Sequence, residues 1–269
     1  MSSSFGAYVK KRYKIYYWAE MEDALMKTSG NTVLITGGGS GIGLALTEAL
    51  VRIGNKVVIC GRRRDRLKAV QARMPAVKFR VCDVSKARSR QALVEWLLSE
   101  FRQLNVLINN AGIQRQVNFL KGPKDLAEAD NEVATNLIAP IHLGAQLLSH
   151  LRRKKEAAIV NISSGLAFTP LACVPVYCAT KAAVHSWSLS LRHQLRNTSV
   201  RVFEIAPPMV ATELAGERSR PEVGDYVMSA EAVAEGVLVA LGQNQYEVAL
   251  GAAANLLAQK EALFSAINQ

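Results

Sequence analysis

From residue 31 onward the chain alternates between two kinds of apolar pattern. Short continuous runs rich in Val and Ile end in Gly, Asp, Asn or Ser, and most lead into stretches where apolar positions return every three or four residues. The runs at 32–36, 56–60, 77–82, 106–108, 158–162, 200–206 and 245–250 read as strands. The stretches at 44–53, 86–102, 124–151 and 229–242, with a C-terminal segment, read as helices, and Ser85 stands where a cap for the second is expected. Unbroken strand–helix alternation predicts an α/β fold: a Rossmann-type doubly wound parallel sheet of about seven strands, with helices on both faces. The pattern gives one domain over 26–269, with no internal repeat and a polar, irregular stretch at about 209–227 suited to a lid over substrate.

Residues 1–25 differ in character from the rest of the chain, being rich in Tyr and Lys ahead of a Met26-Lys27 that reads like an ordinary start. Three readings compete for them: an upstream extension that is not native, a flexible arm, or an amphipathic anchor for a membrane surface or partner. The first is favoured, and the anchor is disfavoured because Tyr13, Ile15, Tyr16, Tyr17 and Trp18 encircle a helix instead of sharing a face.

Composition narrows the function classes. Hydrophobic residues make up 49% of the chain, enough for a large core, and the charge-free runs at 133–151 and 157–180 are interrupted by Pro and polar groups, so they read as core elements and not membrane spans. The net charge of +11 sits in clusters at 10–14, 62–66 and 152–155, and only the first has aromatic neighbours, which argues against nucleic acid. Cys60, Cys82, Cys173 and Cys178 lack Cys-x-x-Cys spacing, and the four His lack a His-Glu-x-x-His arrangement. Reduced thiols, no metal and a cytoplasmic location are the expectations, the N-terminus having no apolar signal region.

Chemistry collects at the ends of the strands, where open α/β sheets bind ligands. The first strand runs into Gly37-Gly38-Gly39-Ser40-Gly41-Ile42-Gly43 and then a helix, an arrangement that offers backbone amides to a nucleotide phosphate. The second leads into Gly61-Arg62-Arg63-Arg64, with no acid at the ribose-recognition position; Asp65 falls in the next helix's first turn. Guanidinium groups suit a 2′-phosphate, so NADP(H) is expected over NAD(H). Asn136 is a polar amide within an apolar helical stretch and needs partners. Ser164 is followed thirteen residues later by Tyr177 and four after that by Lys181, which puts Tyr177 and Lys181 on one helix face. An ammonium close to a phenol favours the phenolate and lowers its pKa, and a serine supplies a second hydrogen bond to the oxygen the phenol serves.

TGGGSGIG at 36–43, Asp83, NNAG at 109–112, Asn136, Ser164 and YCATK at 177–181 together resemble the short-chain dehydrogenase/reductase family, in its compact single-domain branch. The resemblance covers about 32–212. It implies a catalytic set of Asn136, Ser164, Tyr177 and Lys181, with Tyr177 as acid/base, Ser164 on the substrate oxygen, Lys181 on the phenol and the nicotinamide ribose, and Asn136 positioning a water. It further implies cofactor contacts from Gly37, Gly39, Ser40, Gly41, Ile42, Gly43, Arg62, Arg63, Asp83, Val84, Asn110, Ala111, Gly112, Pro207, Val210 and Thr212, and a homodimer or homotetramer. Pro207-Pro208 replaces the family's Pro-Gly, and EIAPPMVATEL with the FSAIN tail is similar to a bacterial DltE-like oxidoreductase subgroup. The expected activity is NADP-dependent hydride transfer to or from a carbonyl or secondary alcohol of a small substrate, made mainly apolar by Leu166, Ala167, Phe168, Pro170, Leu171, Val174 and Pro175. A non-catalytic NADP(H)-sensing or interaction protein on the same fold is the rival reading.

Overall fold

A computed structural model describes residues 25–214 and 227–268. Most of the N-terminal extension and the lid's 215–226 lie outside the described residues. Seven parallel strands form one sheet: β1 (Thr32–Thr36), β2 (Lys56–Gly61), β3 (Lys78–Val81), β4 (Leu104–Asn109), β5 (Ala157–Ile162), β6 (Val200–Ala206) and β9 (Glu247–Ala249). They lie in the order β3-β2-β1-β4-β5-β6-β9. A two-stranded pair, β7 (Met209–Val210) with β8 (Val227–Met228), stands beside it. The order reverses between β1 and β4, which opens the crevice where such sheets take ligands.

Alternate residues of each strand serve opposite faces, as a period of two requires. Val33, Ile35, Val57, Ile59, Phe203 and Ile205 pack with α1 (Gly41–Arg52), α2 (Arg64–Arg73) and α7 (Ala230–Gly242). Leu34, Val58, Leu107, Ile159 and Val202 pack with α3 (Ala87–Glu100) and α5 (Ala139–Leu151). Covering both faces explains why β1 and β5 read as continuous apolar runs. A fully buried side chain such as Leu34 contributes about 2 kcal/mol.

Two local expectations need correction. The stretch at 124–151 is not one helix: a 3-10 segment (Phe119–Leu126), α4 (Ala129–Val133), a π turn (Ala134–Ile138) and α5 follow one another. Pro140 has no amide to give the carbonyl four residues back, at Asn136, so the α-helical ladder cannot pass and the turn widens to the π form. Gly122, at φ 72°, breaks the earlier segment. Ser85 does not cap α3; Asp83 Oδ1 accepts both its amide at 3.0 Å and its hydroxyl at 2.7 Å, and Lys86 takes the cap position.

Candidate active site

A cleft of about 370 Å³ runs along the carboxyl ends of the central strands, with the glycine-rich turn and Asp83 at one end and Tyr177 and Lys181 at the other. Its first wall depends on missing side chains. Gly37 has φ +70°, and a Cβ there would lie 3.0 Å from Ala111 Cα; a Cβ on Gly43 would lie 2.2 Å from the Gly37 carbonyl. Gly41 has φ +52°, with Thr212 Cγ2 at 3.0 Å from where a Cβ would sit. The turn is thereby pressed between the ends of β1 and β4 and the segment after β7. Ser40 occupies the N-cap of α1 but its side chain makes no capping bond, so α1 begins with amides facing the cleft, a ready anion site. Thr36 ties the switch point together: its Oγ1 accepts the amides of Asn110 and Ala111, each at 3.0 Å, and its carbonyl accepts Asn110 Nδ2 at 2.9 Å.

Across the turn, α2 brings basic groups to the mouth. Arg63 Nη2 donates to Ser40 Oγ at 2.8 Å, and Glu213 accepts from Arg63 Nη1 at 2.7 Å and from Arg66 Nη2 at 3.0 Å. Gly39 lies against the same stretch, where a Cβ would be in ordinary contact with Arg66 Cβ at 3.4 Å. Arg62 lines the same cleft, and Asp65 lies in the first turn of α2.

The other end is built on α6 (Pro175–Leu195), which starts with Pro at N1, a position that needs no amide. Tyr177 and Lys181 are buried on it one turn apart, and Lys181 Nζ sits 5.5 Å from the centroid of the Tyr177 ring. Lys181 Nζ donates to the carbonyl of Ile162 at 2.8 Å. Burial pulls the Lys181 ammonium down to about 8, partly offset by the Glu204 and Glu132 carboxylates. Burial also pushes the Tyr177 phenol well above its ordinary value, partly offset by a hydrogen bond with Ser164. The expected lowering of the phenol by Lys181 is therefore not what this state of the protein has. Desolvation dominates, and the ammonium is spent on a backbone carbonyl. Ser164 caps a 3-10 turn (Gly165–Ala167), accepting the Leu166 amide at 3.1 Å.

Asn136, in the π turn, grips one residue of the neighbouring loop. Its Oδ1 accepts the Ile113 amide at 2.9 Å, and its Nδ2 donates to the Ile113 carbonyl at 2.8 Å and to Thr180 Oγ1 at 3.2 Å. One helical turn earlier, Glu132 is wholly buried with neither carboxylate oxygen in a hydrogen bond. Desolvation raises its pKa, and the Arg115 amide and charge, then Lys181, offset part of the rise. On the next turn of α6, His185 Nδ1 meets Glu204 Oε2 at 2.8 Å. Arg192 Nη1 lies 3.7 Å from Glu247, so a guanidinium already stands in that acidic group.

Leu166, Leu171 and Val174 pack around Tyr177 and Cys178, and Phe168 stacks edge-on against His185 with centroids 5.0 Å apart. The C-terminal tail braces this loop. Thr169 Oγ1 donates to the carbonyls of Leu256 and Lys260, and Asn268 Nδ2 to that of Pro170 at 3.1 Å. A Cβ on Gly165 would lie 2.8 Å from Ala253 Cβ, so the tail's helix α8 (Ala253–Gln259) rests directly on the turn after Ser164.

Most of the anticipated residues meet in the one cleft: Gly37, Gly39, Ser40, Gly41, Ile42, Arg62, Arg63, Asp83, Val84, Asn110, Ala111, Gly112, Tyr177, Lys181 and Thr212. Five stand behind its lining. Gly43 supports the turn, Asn136 holds Ile113, and Ser164 faces the phenol. The Pro207 carbonyl accepts the Gly165 amide at 2.9 Å, and Val210 pairs with Met228. Sequence reasoning passes over Thr36, Arg66, Glu132 and Glu213. Arg66, three residues after Arg63 on the same face of α2, is the one with a local signal.

A glycine-cradled anion site at the switch point, joined to a buried Tyr-Lys pair, defines a dinucleotide-binding enzyme class. Residues 31–223 match the short chain dehydrogenase family profile. The chain is 53% identical over 199 residues to the uncharacterized oxidoreductase DltE of Bacillus subtilis (strain 168), covering 74% of this chain and 79% of that one. It is similar in structure to a short chain dehydrogenase from Burkholderia cenocepacia J2315 in complex with NADP, with TM-score 0.76 and 27% identity over 87% of this chain and 93% of that one. It is equally similar, at TM-score 0.76 and 26% identity, to a 3-ketoacyl-(acyl-carrier-protein) reductase from Brucella melitensis complexed with NADH, covering 83% and 98%. The chain belongs to the short-chain dehydrogenase family and is an oxidoreductase. Among the described residues, no helix is long and apolar enough to cross a membrane.

Proposed function

We propose that the protein is an NADP-dependent oxidoreductase. In this reading it transfers a hydride between the nicotinamide and a carbonyl or secondary alcohol of a small, mainly apolar substrate, with Tyr177 as the acid/base. The observation that carries this is that Tyr177 and Lys181 line the same cleft as the glycine turn and Arg63.

The residues present suit a dinucleotide. A Cβ at Gly37 or Gly43 would fill the cradle, and the uncapped amides of α1 suit the diphosphate. Asp83 and Val84 would flank the adenine, Asn110, Ala111 and Gly112 the ribose, and Thr212 with the Pro207–Val210 backbone the carboxamide. Ser40, Arg63 and Arg66 form a basic cluster that suits a 2′-phosphate. When bound, the cofactor supplies or accepts the hydride.

The chain's own groups handle the proton. The Tyr177 hydroxyl gives a proton to the substrate oxygen in reduction and takes it back in oxidation. Ser164 Oγ holds that oxygen. Lys181, drawn down to about 8, exchanges its own proton near neutral pH and so resupplies the phenol. Asn136 fixes the loop at Ile113 that borders this proton path. Leu166, Leu171 and Val174, already clustered at Tyr177, favour an apolar substrate surface.

Calorimetric titration with NADPH and with NADH tests the cofactor assignment. Preferred NADPH binding, lost in Arg63→Ala, is expected. Preferred NADH refutes the arginine reading and leaves the oxidoreductase class intact.

A further inference from the structure

The basic cluster at the mouth of the cleft already holds an anion, and it belongs to the chain itself. Each Glu213 oxygen takes a different guanidinium, Arg63 at 2.7 Å and Arg66 at 3.0 Å, while the second terminal nitrogen of Arg63 is committed to Ser40 at 2.8 Å. The four residues come from three separate parts of the chain: Ser40 from the glycine turn, Arg63 and Arg66 from the start of α2, and Glu213 from the segment after β7. Two arginines converging on one carboxylate, one of them also bonded to a serine hydroxyl, have the donor pattern that a phosphate monoester takes.

We infer that Glu213 is an internal stand-in for the ribose 2′-phosphate, and that it sets the NADP/NAD selectivity by competing for Arg63 and Arg66. This rests on the NADP reading above. Glu213 lies on the Nη1 side of Arg63 and bridges to Arg66, so a phosphate that takes both guanidinium groups from that side meets the carboxylate and displaces it. A 2′-phosphate carries nearly two negative charges against one for the carboxylate, and so prevails in the exchange. A 2′-hydroxyl carries none and leaves Glu213 in place. The two arginines and the carboxylate together carry one net positive charge, and removing the carboxylate's charge leaves two. The Glu213 carboxyl is itself held below the usual carboxylate range by Arg63 and Arg66, so it is ionised at neutral pH. All three side chains are at least half exposed, so the contest runs in water-screened conditions and its effect is a modest factor.

The test uses the full chain and Glu213→Gln, titrated calorimetrically with 2′,5′-ADP and with 5′-AMP, which differ only in the 2′-phosphate. Thermal melts confirm that the variant is folded. The expected result is that Glu213→Gln binds 2′,5′-ADP roughly three- to tenfold more tightly than wild type while 5′-AMP changes less than about twofold. Weaker 2′,5′-ADP binding in the variant overturns the inference by showing that Glu213 clasps the phosphate. An equal change for both probes overturns it as a general charge effect. The NADP reading is judged separately, on whether wild type prefers 2′,5′-ADP to 5′-AMP. If wild type shows no preference and Glu213→Gln acquires one, the competition stands and the NADP reading of the native chain falls. If neither protein shows a preference, both fall.

Discussion

Lys181 Nζ donates to the carbonyl oxygen of Ile162, the last residue of β5, at 2.8 Å. That bond ties the helix carrying Tyr177 to the strand that delivers Ser164 two residues later. Tyr177 on α6 and Ser164 just after β5 are therefore held as one unit on rigid elements.

The same bond is made by an ammonium that burial disfavours. The folded pKa of about 8 lies below the ordinary lysine value of 10.5, so between these values the unfolded chain binds more protons and stability rises with pH. The shift corresponds to about 3 kcal/mol. Lys181→Met, which cannot titrate, is expected to gain on wild type below pH 8 and to lose that advantage by pH 10. Chemical denaturation across pH 7–10 measures it, and a difference that stays flat with pH contradicts the assignment.

Glu132 has the opposite sign. Its folded pKa is raised by desolvation, so its contribution to stability is greatest below the ordinary carboxylate range and is lost as pH rises through the raised value. Neither oxygen has a partner within hydrogen-bond distance, so the ionised form is offset only in part, by the Arg115 amide and charge and by Lys181. Glu132→Gln is expected to be more stable than wild type by about 1–2 kcal/mol at neutral pH, with the gap closing on acidification. If the variant is less stable at neutral pH, the Arg115 amide and charge and Lys181 outweigh the desolvation of Glu132.

The C-terminal tail touches the loop after Ser164, which the proposed function puts on the substrate side. Asn268 donates to Pro170 and accepts from the Ala172 amide, and Thr169 reaches back to Leu256 and Lys260. Removing residues 264–269 is expected to raise KM for substrate several-fold and to leave NADPH affinity within about twofold. Equal loss of both contradicts a tail that shapes only the substrate side.

The sequence is most legible where one short stretch does the work. Strand 200–206 lies where the apolar run puts it, and the glycine turn and the Tyr177–Lys181 spacing carry their geometry locally. The break at 119–138 is hidden because apolar periodicity continues through it, although Pro140 and Gly122-Pro123 both interrupt the backbone ladder. Glu213 and Arg63 are 150 residues apart, and nothing local to either announces the pair. Glu132 reads as one more polar residue on a helix, and its cost becomes visible only once packing removes its water. The phenol's pKa escapes the sequence for the same reason: spacing brings Lys181 near Tyr177, but burial and the Ile162 carbonyl decide what that nearness does.

Single-turnover reduction of a preferred carbonyl substrate by Tyr177→Phe, alongside calorimetric NADPH binding by the same variant, tests whether the Tyr177 hydroxyl supplies the proton. Losing the hydroxyl leaves the ring that packs against Leu166, Leu171 and Val174, so folding and cofactor affinity are expected to persist within about twofold. Turnover is expected to fall by at least roughly a hundredfold, the scale of a lost general acid. A variant that binds NADPH and reduces the substrate at the wild-type rate contradicts the account at its centre, because the proton must then come from a group other than Tyr177.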